Sequence, residues 1–291
     1  MNSNKIDDNF GLNGIKSKNY LENIKSIFTI KNIFQNLRKN IALNIIKYNK
    51  KIQNRLNIEI NNYIQLSVIK IEIIPSKNKI GEFINIINKE EESYYHIYFN
   101  GKKKQIQRYK IENNENVNKI RIVIDYKVKS LYKLFSCCEC IESIHFTNFH
   151  RENITNMSFM FYKCSSLKEL IFTNFTTNNV TDMRCMFFDC KLLKKLDLSN
   201  FNTERVINMS WMFNNCSSLK ELNISSFNTE NVTNMQEMFS GCSAIKELKI
   251  SEFNTDNVNI MKGLLIGCSD ELKEKILRQL NDKQINEALY Y

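Results

Sequence analysis

A cysteine recurs at a fixed interval of 26 residues through the second half of the chain, and this feature constrains the fold more than any other. The cysteines are Cys138, Cys164, Cys190, Cys216, Cys242 and Cys268. A phenylalanine column, from Phe149 to Phe253, and a methionine column, from Met157 to Met261, keep the same interval. Three apolar columns in one register indicate a repeat protein, in which copies of one small unit stack and share a core.

Each repeat contains two segments with different hydrophobic periods. Leu196 and Leu198 alternate with polar residues, which predicts a short strand with one buried face. The apolar residues that follow are spaced three or four positions apart, a period typical of one face of a helix. In the same repeat they are Val206, Met209, Met212, Phe213 and Cys216. The sequence therefore predicts an α/β repeat solenoid with a strand and a helix in every unit, the strands forming a parallel sheet and the helices the opposite wall.

The repeat motif MF..C..L..L.LS.FNT..V..M resembles that of the BspA-like leucine-rich-repeat family, the 26-residue repeat of bacterial surface proteins. The resemblance covers about residues 131–268 and is most literal at 212–219 and 238–243. The first unit departs from the motif, with Leu134-Phe135 in place of Met-Phe and with Arg151 in place of the usual threonine. The resemblance implies a leucine-rich-repeat solenoid. Because family members are often surface or secreted proteins, it also implies cell-surface adhesion as an alternative function.

Five segments are predicted along the chain. They are a flexible tail at 1–19, a helical hairpin at 20–60, a β-rich module at 61–130, the repeat solenoid at 131–268 and a C-terminal capping helix at 269–291. A stack of repeats leaves an apolar edge at each end, and the flanking segments are expected to cover these edges. Asp270 is the predicted N-cap of the capping helix.

The segments before the repeats carry their own local patterns. In the β-rich module, alternating residues at 67–73, 94–99 and 119–124 predict three strands. Asn100-Gly101 predicts a two-residue hairpin turn, since both positions tolerate a positive φ. Residues 20–56 faintly resemble an F-box, although they lack the Leu-Pro start that is customary there. That resemblance implies a second alternative function, a substrate adaptor of a ubiquitin ligase.

The net charge of +10 belongs to the N-terminal part of the chain. Residues 1–130 carry 24 lysines and arginines against 12 acidic residues, whereas residues 131–291 carry 17 against 19. The basic run at 102–104 is predicted to be the solvated tip of a hairpin, which disfavours nucleic acid as a partner. The sequence shows no stretch typical of a signal peptide or a membrane span, and nine cysteines then favour reduced thiols and a cytoplasmic location over the cell surface.

Two cysteine patterns resemble a metal or redox site, and the sequence predicts neither kind of site for them. Cys137, Cys140, His145 and His150 have a spacing close to that of a zinc knuckle. The repeat register, however, puts His145 on the outer face of a strand and His150 in the next turn, so the ligands would not converge. The cysteine column is expected to consist of buried thiols, and Cys185, outside that column, is expected to be exposed. With three histidines and no phosphate-binding loop or catalytic spacing, the sequence predicts neither an enzyme nor a cofactor.

The predicted function is protein recognition through the outer face of the strands, the alternative being a merely solvated surface. Residues of successive repeats would stand there at fixed spacing on rigid elements, which lowers the ordering cost of binding. The candidate binding residues are His145, Glu169, Ile171, Lys195, Asp197, Glu221, Asn223, Glu247 and Lys249. The sequence thus predicts a non-enzymatic protein-binding scaffold, and it identifies neither the partner protein nor the oligomeric state.

Overall fold

The computed structural model of the chain describes residues 24–26, 29–30, 49–56, 68–125, 127–149, 151, 153–173, 175–250 and 254–289. The chain divides into two compact units, Met1–Tyr63 and Ile64–Tyr291. In the first unit, helix α1 (Lys50–Leu56) follows Asn49, whose side chain accepts a hydrogen bond from the amide of Ile52. Most of the predicted helical hairpin, and with it the F-box-like segment, lies outside the described residues.

The described residues of the second unit form strands, a 3-10 helix (Lys89–Tyr94) and two helices near the C-terminus. The strands are β1 (Ile69–Pro75), β2 (Gly81–Glu82), β3 (Tyr95–Phe99), β4 (Lys110–Ile111), β5 (Ile120–Ile124), β6 (Ile141–Asn148), β7 (Glu169–Phe172), β8 (Lys195–Asp197), β9 (Glu221–Ile224) and β10 (Glu247–Ile250). The helices are α2 (Asp270–Leu277) and α3 (Asp282–Leu289). Strands β1, β3 and β5 confirm the three strands predicted from alternation.

The turn after β3 is the hairpin that Asn100-Gly101 predicts. Asn100 and Gly101 have φ angles of 51° and 70°, and the amide of Lys102 donates to the carbonyl of Phe99 at 3.0 Å. This geometry is favoured in two-residue hairpins because its twist matches that of the flanking strands. The lysines at 102–104 are exposed, as expected for a hairpin tip.

The strands of the repeats do not form the single parallel sheet that the sequence predicts. A five-stranded mixed sheet has the order β3-β5-β1-β6-β7, in which β1 is antiparallel to both β5 and β6, and β6 is parallel to β7. Strands β8, β9 and β10 form a separate parallel sheet. The first two repeats therefore share a sheet with the strands that precede them, and the remaining three repeat strands form their own sheet.

The predicted strand-plus-helix solenoid is wrong, because the segment with helical spacing is a series of turns in every repeat. Among the described residues between 131 and 268, no helix occurs. Two positions per repeat, four residues apart, have a left-handed backbone conformation that a right-handed helix excludes. The first is occupied by Lys133, Phe159, Cys185, Trp211, Glu237 and Gly263, and the second by Cys137, Lys163, Asp189, Asn215, Gly241 and Gly267, with φ between 49° and 75°.

Backbone hydrogen bonds of the turn segment alternate between closing a turn and joining two repeats. The amides of Met183, Cys185, Phe187 and Asp189 donate to the carbonyls of Asn208, Ser210, Met212 and Asn214 in the next repeat, at 2.8–3.0 Å. The amides of Met186, Phe188 and Cys190 instead donate to the carbonyl three residues earlier in the same repeat, at 3.2 Å. Almost every amide of this segment is thus satisfied, and a regular series of backbone hydrogen bonds joins the turn segments of neighbouring repeats.

One interior runs through all the repeats, as the three apolar columns predict. The cysteines of the column and the five methionines are at most 7% exposed. Five phenylalanine rings stack along the interior with centroids 5.5–5.7 Å apart and planes within 10° of each other. They are Phe135, Phe161, Phe187, Phe213 and Phe239. The described members of the predicted phenylalanine column form a separate set and are also at most 3% exposed, namely Phe149, Phe175, Phe201 and Phe227. The shared core, and not the predicted helix, is therefore what the 26-residue interval encodes.

The Phe-Asn-Thr triplet of the motif forms a second, polar connection between repeats. The buried hydroxyls of Thr177, Thr203 and Thr229 donate to the carbonyls of Asn202, Asn228 and Asn254 in the next repeat at 2.7–2.9 Å. Each of these asparagine side chains accepts the backbone amide two residues later, at 2.8–2.9 Å. The asparagine therefore shapes the corner of its own repeat, and the threonine binds that corner to the next one.

Two helices follow the last repeat, and the second accepts hydrogen bonds from the amides of that repeat, as a further repeat would. The amides of Gly263 and Leu265 donate to the carbonyls of Glu287 and Ala288, both at 2.9 Å. These carbonyls belong to the last turn of α3, where the helix itself supplies no N–H donor for them. The N-cap of α2 is Ser269 and not the predicted Asp270, since the Ser269 hydroxyl accepts from the amide of Leu272.

Candidate functional site

The predicted binding residues lie on the outer side of the strands but fall into two groups. Strands β6 and β7 align Ser143 with Glu169 and His145 with Ile171. Strands β8, β9 and β10 align one row of charged residues and one row of mixed character. The first row is Lys195, Glu221 and Glu247, and the second is Asp197, Asn223 and Lys249. The structure therefore brings together six of the predicted residues on one sheet and three on the other.

Most of these side chains are accessible. Glu169, Ile171, Lys195, Asp197, Glu221, Glu247 and Lys249 are exposed, and His145 and Asn223 are half-buried. Ile171 is a large apolar side chain with 40% of its surface exposed. Because none of the exposed residues contributes to the shared core, the outer face of the strands can vary without disturbing the stack.

Neighbouring repeats pair their charges across this face. The ammonium of Lys195 lies 2.6 Å from a carboxylate oxygen of Glu221, and this hydrogen bond raises the pKa of Lys195. The carboxylate of Asp197 accepts the amide of Ser199 at 3.0 Å, which lowers the pKa of Asp197. In the other group, Nε2 of His145 lies 2.9 Å from the hydroxyl of Thr173. The face therefore presents fixed charges of both signs.

The face is shallow. The six residues on β8–β10 surround a depression of about 90 Å³, whereas cavities that enclose small molecules are roughly 300–1,000 Å³. The arrangement suits contact with the surface of another macromolecule better than enclosure of a small ligand.

The cysteine column has a hydrogen-bonding role that sequence reasoning missed. The thiols of Cys164, Cys190, Cys216, Cys242 and Cys268 donate to the carbonyls of Phe135, Phe161, Phe187, Phe213 and Phe239 in the preceding repeat, at 2.9–3.1 Å. Burial raises the pKa of the Cys216 thiol to about 12. The thiol is therefore protonated at neutral pH and acts as a donor, neither a nucleophile nor a metal ligand.

Two further cysteines are buried, and for Cys185 this differs from the prediction. Cys185 is buried, contrary to the predicted exposure, and burial raises its pKa to about 12. Cys140, a member of the zinc-knuckle pattern, is buried too, and its thiol donates to the carbonyl of Glu82 at 3.1 Å. Of that pattern His150 lies outside the described residues, and the part of the chain that the structure describes contains no cluster of three or more ligating side chains.

Arg151, which replaces the usual threonine, joins the first repeat to the segment before it. Its side chain is 3% exposed, and its guanidinium donates to the carbonyl of Asp125 at 2.9 Å and to that of Val128. It also donates to the side chain of Asn153 at 2.8 Å. In later repeats the corresponding threonine binds the following repeat. Arg151 therefore contacts the segment that precedes the first repeat, whereas threonine at this position contacts the repeat that follows.

Stacked copies, joined by backbone, thiol and hydroxyl hydrogen bonds, define the chain as a repeat protein. The family described as "Mycoplasma protein of unknown function, DUF285" matches residues 129–247 and 194–285, and the chain belongs to this family. No curated protein matches the chain. Among solved structures, a leucine-rich repeat protein from Bacteroides ovatus ATCC 8483 is similar, with 16% identity and a TM-score of 0.30. The similarity covers 63% of this chain and 57% of that protein.

None of the helices in the described ranges is both long enough and apolar enough to span a membrane.

Proposed function

We propose that the chain is a non-enzymatic protein-binding scaffold that uses the outer face of its strands. The observation that carries the proposal is the alignment of Lys195, Glu221 and Glu247 with Asp197, Asn223 and Lys249 across three paired strands. The backbone register holds six polar side chains in a fixed array, so a partner would meet them without a large loss of conformational entropy.

The environment of the reactive side chains supports the non-enzymatic part of the proposal. The thiol of Cys216 is protonated and hydrogen-bonded inside the core. The His145 ring contacts a threonine hydroxyl, and the His96 ring lies between Gln105 and Asp125. Each of these groups has a structural partner of its own.

The BspA-like resemblance and the state of the thiols bear on where the scaffold works. Five column thiols use their protons in hydrogen bonds across repeats, which favours a reducing compartment. We therefore propose a cytoplasmic location, with cell-surface adhesion as the alternative that the BspA-like resemblance implies. Labelling of intact cells with an impermeant amine reagent distinguishes the two, since only a surface protein would react.

Charge reversal at two positions tests the binding face. In affinity purification from cells, Lys195→Glu combined with Lys249→Glu is expected to reduce recovery of specific partners by about tenfold, because two attractions become repulsions. These side chains are preferable to Asp197 and Asn223, which accept backbone amides of Ser199 and Ser225 and help to shape their own turns.

The matched control reverses two charges elsewhere, at Arg205 and Arg278, both of which are exposed. This control variant is expected to retain the partners of the unmodified protein. If both double variants retained the same partners, the strand face would not be the binding surface. Circular dichroism of each variant verifies that the loss does not come from unfolding.

A further inference from the structure

A row of aromatic side chains lies on the outer side of the turn segments, away from the strands. The ring of Tyr132 meets that of Phe159 at 5.9 Å, Phe159 meets Tyr162 at 5.5 Å, and Tyr162 stacks on Phe188 at 4.9 Å. All four side chains are half-buried. We call these residues the aromatic ridge. Aromatic residues are enriched at protein interfaces because they bury a large area and lose little conformational freedom.

Cationic side chains cover the faces of the ridge. The ammonium of Lys133 lies 5.2 Å and 5.7 Å from the ring centroids of Tyr132 and Phe159, and that of Lys163 lies 5.2 Å from the ring of Tyr162. The guanidinium of Arg184 lies 5.8 Å from the Phe159 ring and also pairs with Asp182 at 3.2 Å. Among the described residues, the ion pairs include neither Lys133 nor Lys163, so their positive charges remain available.

One aromatic residue of the ridge, Phe159, and the two lysines beside it occupy backbone positions that would suit glycine better. Lys133, Phe159 and Lys163 have φ angles of 58°, 58° and 55°. The last repeat has glycine at both equivalent positions, Gly263 and Gly267. Because cysteine, glutamate and glycine occupy the first of these positions in other repeats, the fold does not require an aromatic or cationic side chain there.

We propose that the aromatic ridge is a second binding surface, which takes an acidic segment of a partner protein. Lys133 and Lys163 supply unpaired positive charge, and the hydroxyls of Tyr132 and Tyr162 can donate to carboxylates. Ring edges carry partial positive charge and also favour anions. The ridge lies on the other side of the core from the strand face, so this inference is independent of the proposed function.

The stacking within the ridge favours an acidic peptide over single-stranded nucleic acid. Nucleic acid bases bind such proteins by stacking on free aromatic faces. Here Tyr162 and Phe188 stack on each other with planes 22° apart, and the lysines lie over the faces of Tyr132, Phe159 and Tyr162. The lysine ammonium groups, the tyrosine hydroxyls and the ring edges remain for contact with a ligand, and these groups suit carboxylates.

The only tryptophan of the chain gives a direct probe of this surface. Trp211 occupies the same repeat position as Phe159, two repeats further along, and is half-buried. A ligand that follows the ridge along the stack would change the environment of this indole. Trp211 fluorescence in the full chain is therefore the readout.

The full chain is titrated with three probes while Trp211 fluorescence is measured. The probes are a glutamate-rich peptide, a lysine-rich peptide of the same length, and oligothymidylate. The glutamate-rich peptide is expected to give a saturable change in Trp211 emission, and the lysine-rich peptide none. Lys133→Glu combined with Lys163→Glu is expected to raise the dissociation constant for the glutamate-rich peptide at least about tenfold, since both ammonium groups become repulsive.

Arg205→Glu combined with Arg278→Glu changes the net charge equally, at exposed arginines that belong to neither the ridge nor the strand face, and is the matched control, expected to leave the affinity within about twofold. Equal weakening by both double variants would reveal attraction to net charge alone and overturn the proposal. The absence of saturable binding, or tighter binding of oligothymidylate than of the peptide, would overturn it as well.

Discussion

Replacing Phe187 by alanine is expected to lower the free energy of unfolding by about 3–5 kcal/mol. The Phe187 ring is fully buried and stacks on Phe161 at 5.5 Å on one side and on Phe213 at 5.5 Å on the other. Removing it deletes contacts with two neighbouring repeats at once and leaves a cavity that the rigid backbone ladder cannot close. Denaturant unfolding followed by fluorescence measures the change.

The adjacent residue supplies a matched control. Phe188 is half-buried and belongs to the aromatic ridge, so Phe188→Ala is expected to cost less than about half as much. Phe187→Leu restores most of the buried volume and is expected to recover part of the loss. Equal destabilisation by Phe187→Ala and Phe188→Ala would contradict the placement of Phe187 in the interior and of Phe188 on the outer side of the turn segment.

Arg151→Thr is expected to destabilise the protein by about 3 kcal/mol, although threonine is the residue that the repeat motif prefers at this position. The guanidinium donates to the carbonyls of Asp125 and Val128, and a threonine hydroxyl is too short to replace both bonds. One partly buried and one buried carbonyl would lose their main donor. Thermal and denaturant unfolding of the purified variant test the prediction.

Arg205→Thr is the control for this change, because Arg205 is an exposed arginine of a later repeat. Its replacement is expected to alter stability by less than about 0.5 kcal/mol. If Arg151→Thr were as stable as the unmodified protein, the first repeat would not depend on its contacts with the preceding segment. The departure from the motif would then have no structural role.

The repeat register could be predicted from the sequence, whereas the local structure of half of each repeat could not. Columns of cysteine, methionine and phenylalanine require a common interior whatever the backbone does between them. The spacing of Val206, Met209, Met212 and Cys216 fits one face of a helix, and it fits a series of short turns equally well. Periodicity alone does not distinguish the two.

One signal in the sequence argues against the helix. Gly241, Gly263 and Gly267 fall within or beside the segments read as helical, where glycine is unfavourable. In the structure all three have positive φ. At Gly241 a β-carbon would lie 2.4 Å from the side-chain oxygen of Asn215 and 3.2 Å from its Cα. The earlier repeats place other residues at these positions, which hides the pattern.

The candidate site was predictable in part. Alternation along a strand identifies which side chains face outward, and these residues do lie on the outer face of β6–β10. Their division between two sheets depends on pairing with β1, which the repeat pattern does not contain. The thiol-to-carbonyl bonds and the aromatic ridge arise from the turn geometry, so a helical interpretation could not find them.

The repeats are joined through the backbone of their turn segments, and hydrogen-bond scalar couplings in nuclear magnetic resonance test this connection most directly. The amide nitrogen of Phe187 lies 2.9 Å from the carbonyl oxygen of Met212. We expect a coupling between the Phe187 amide and the Met212 carbonyl carbon. A coupling from the Phe187 amide to the Met183 carbonyl, four residues earlier, would identify a helix and contradict it.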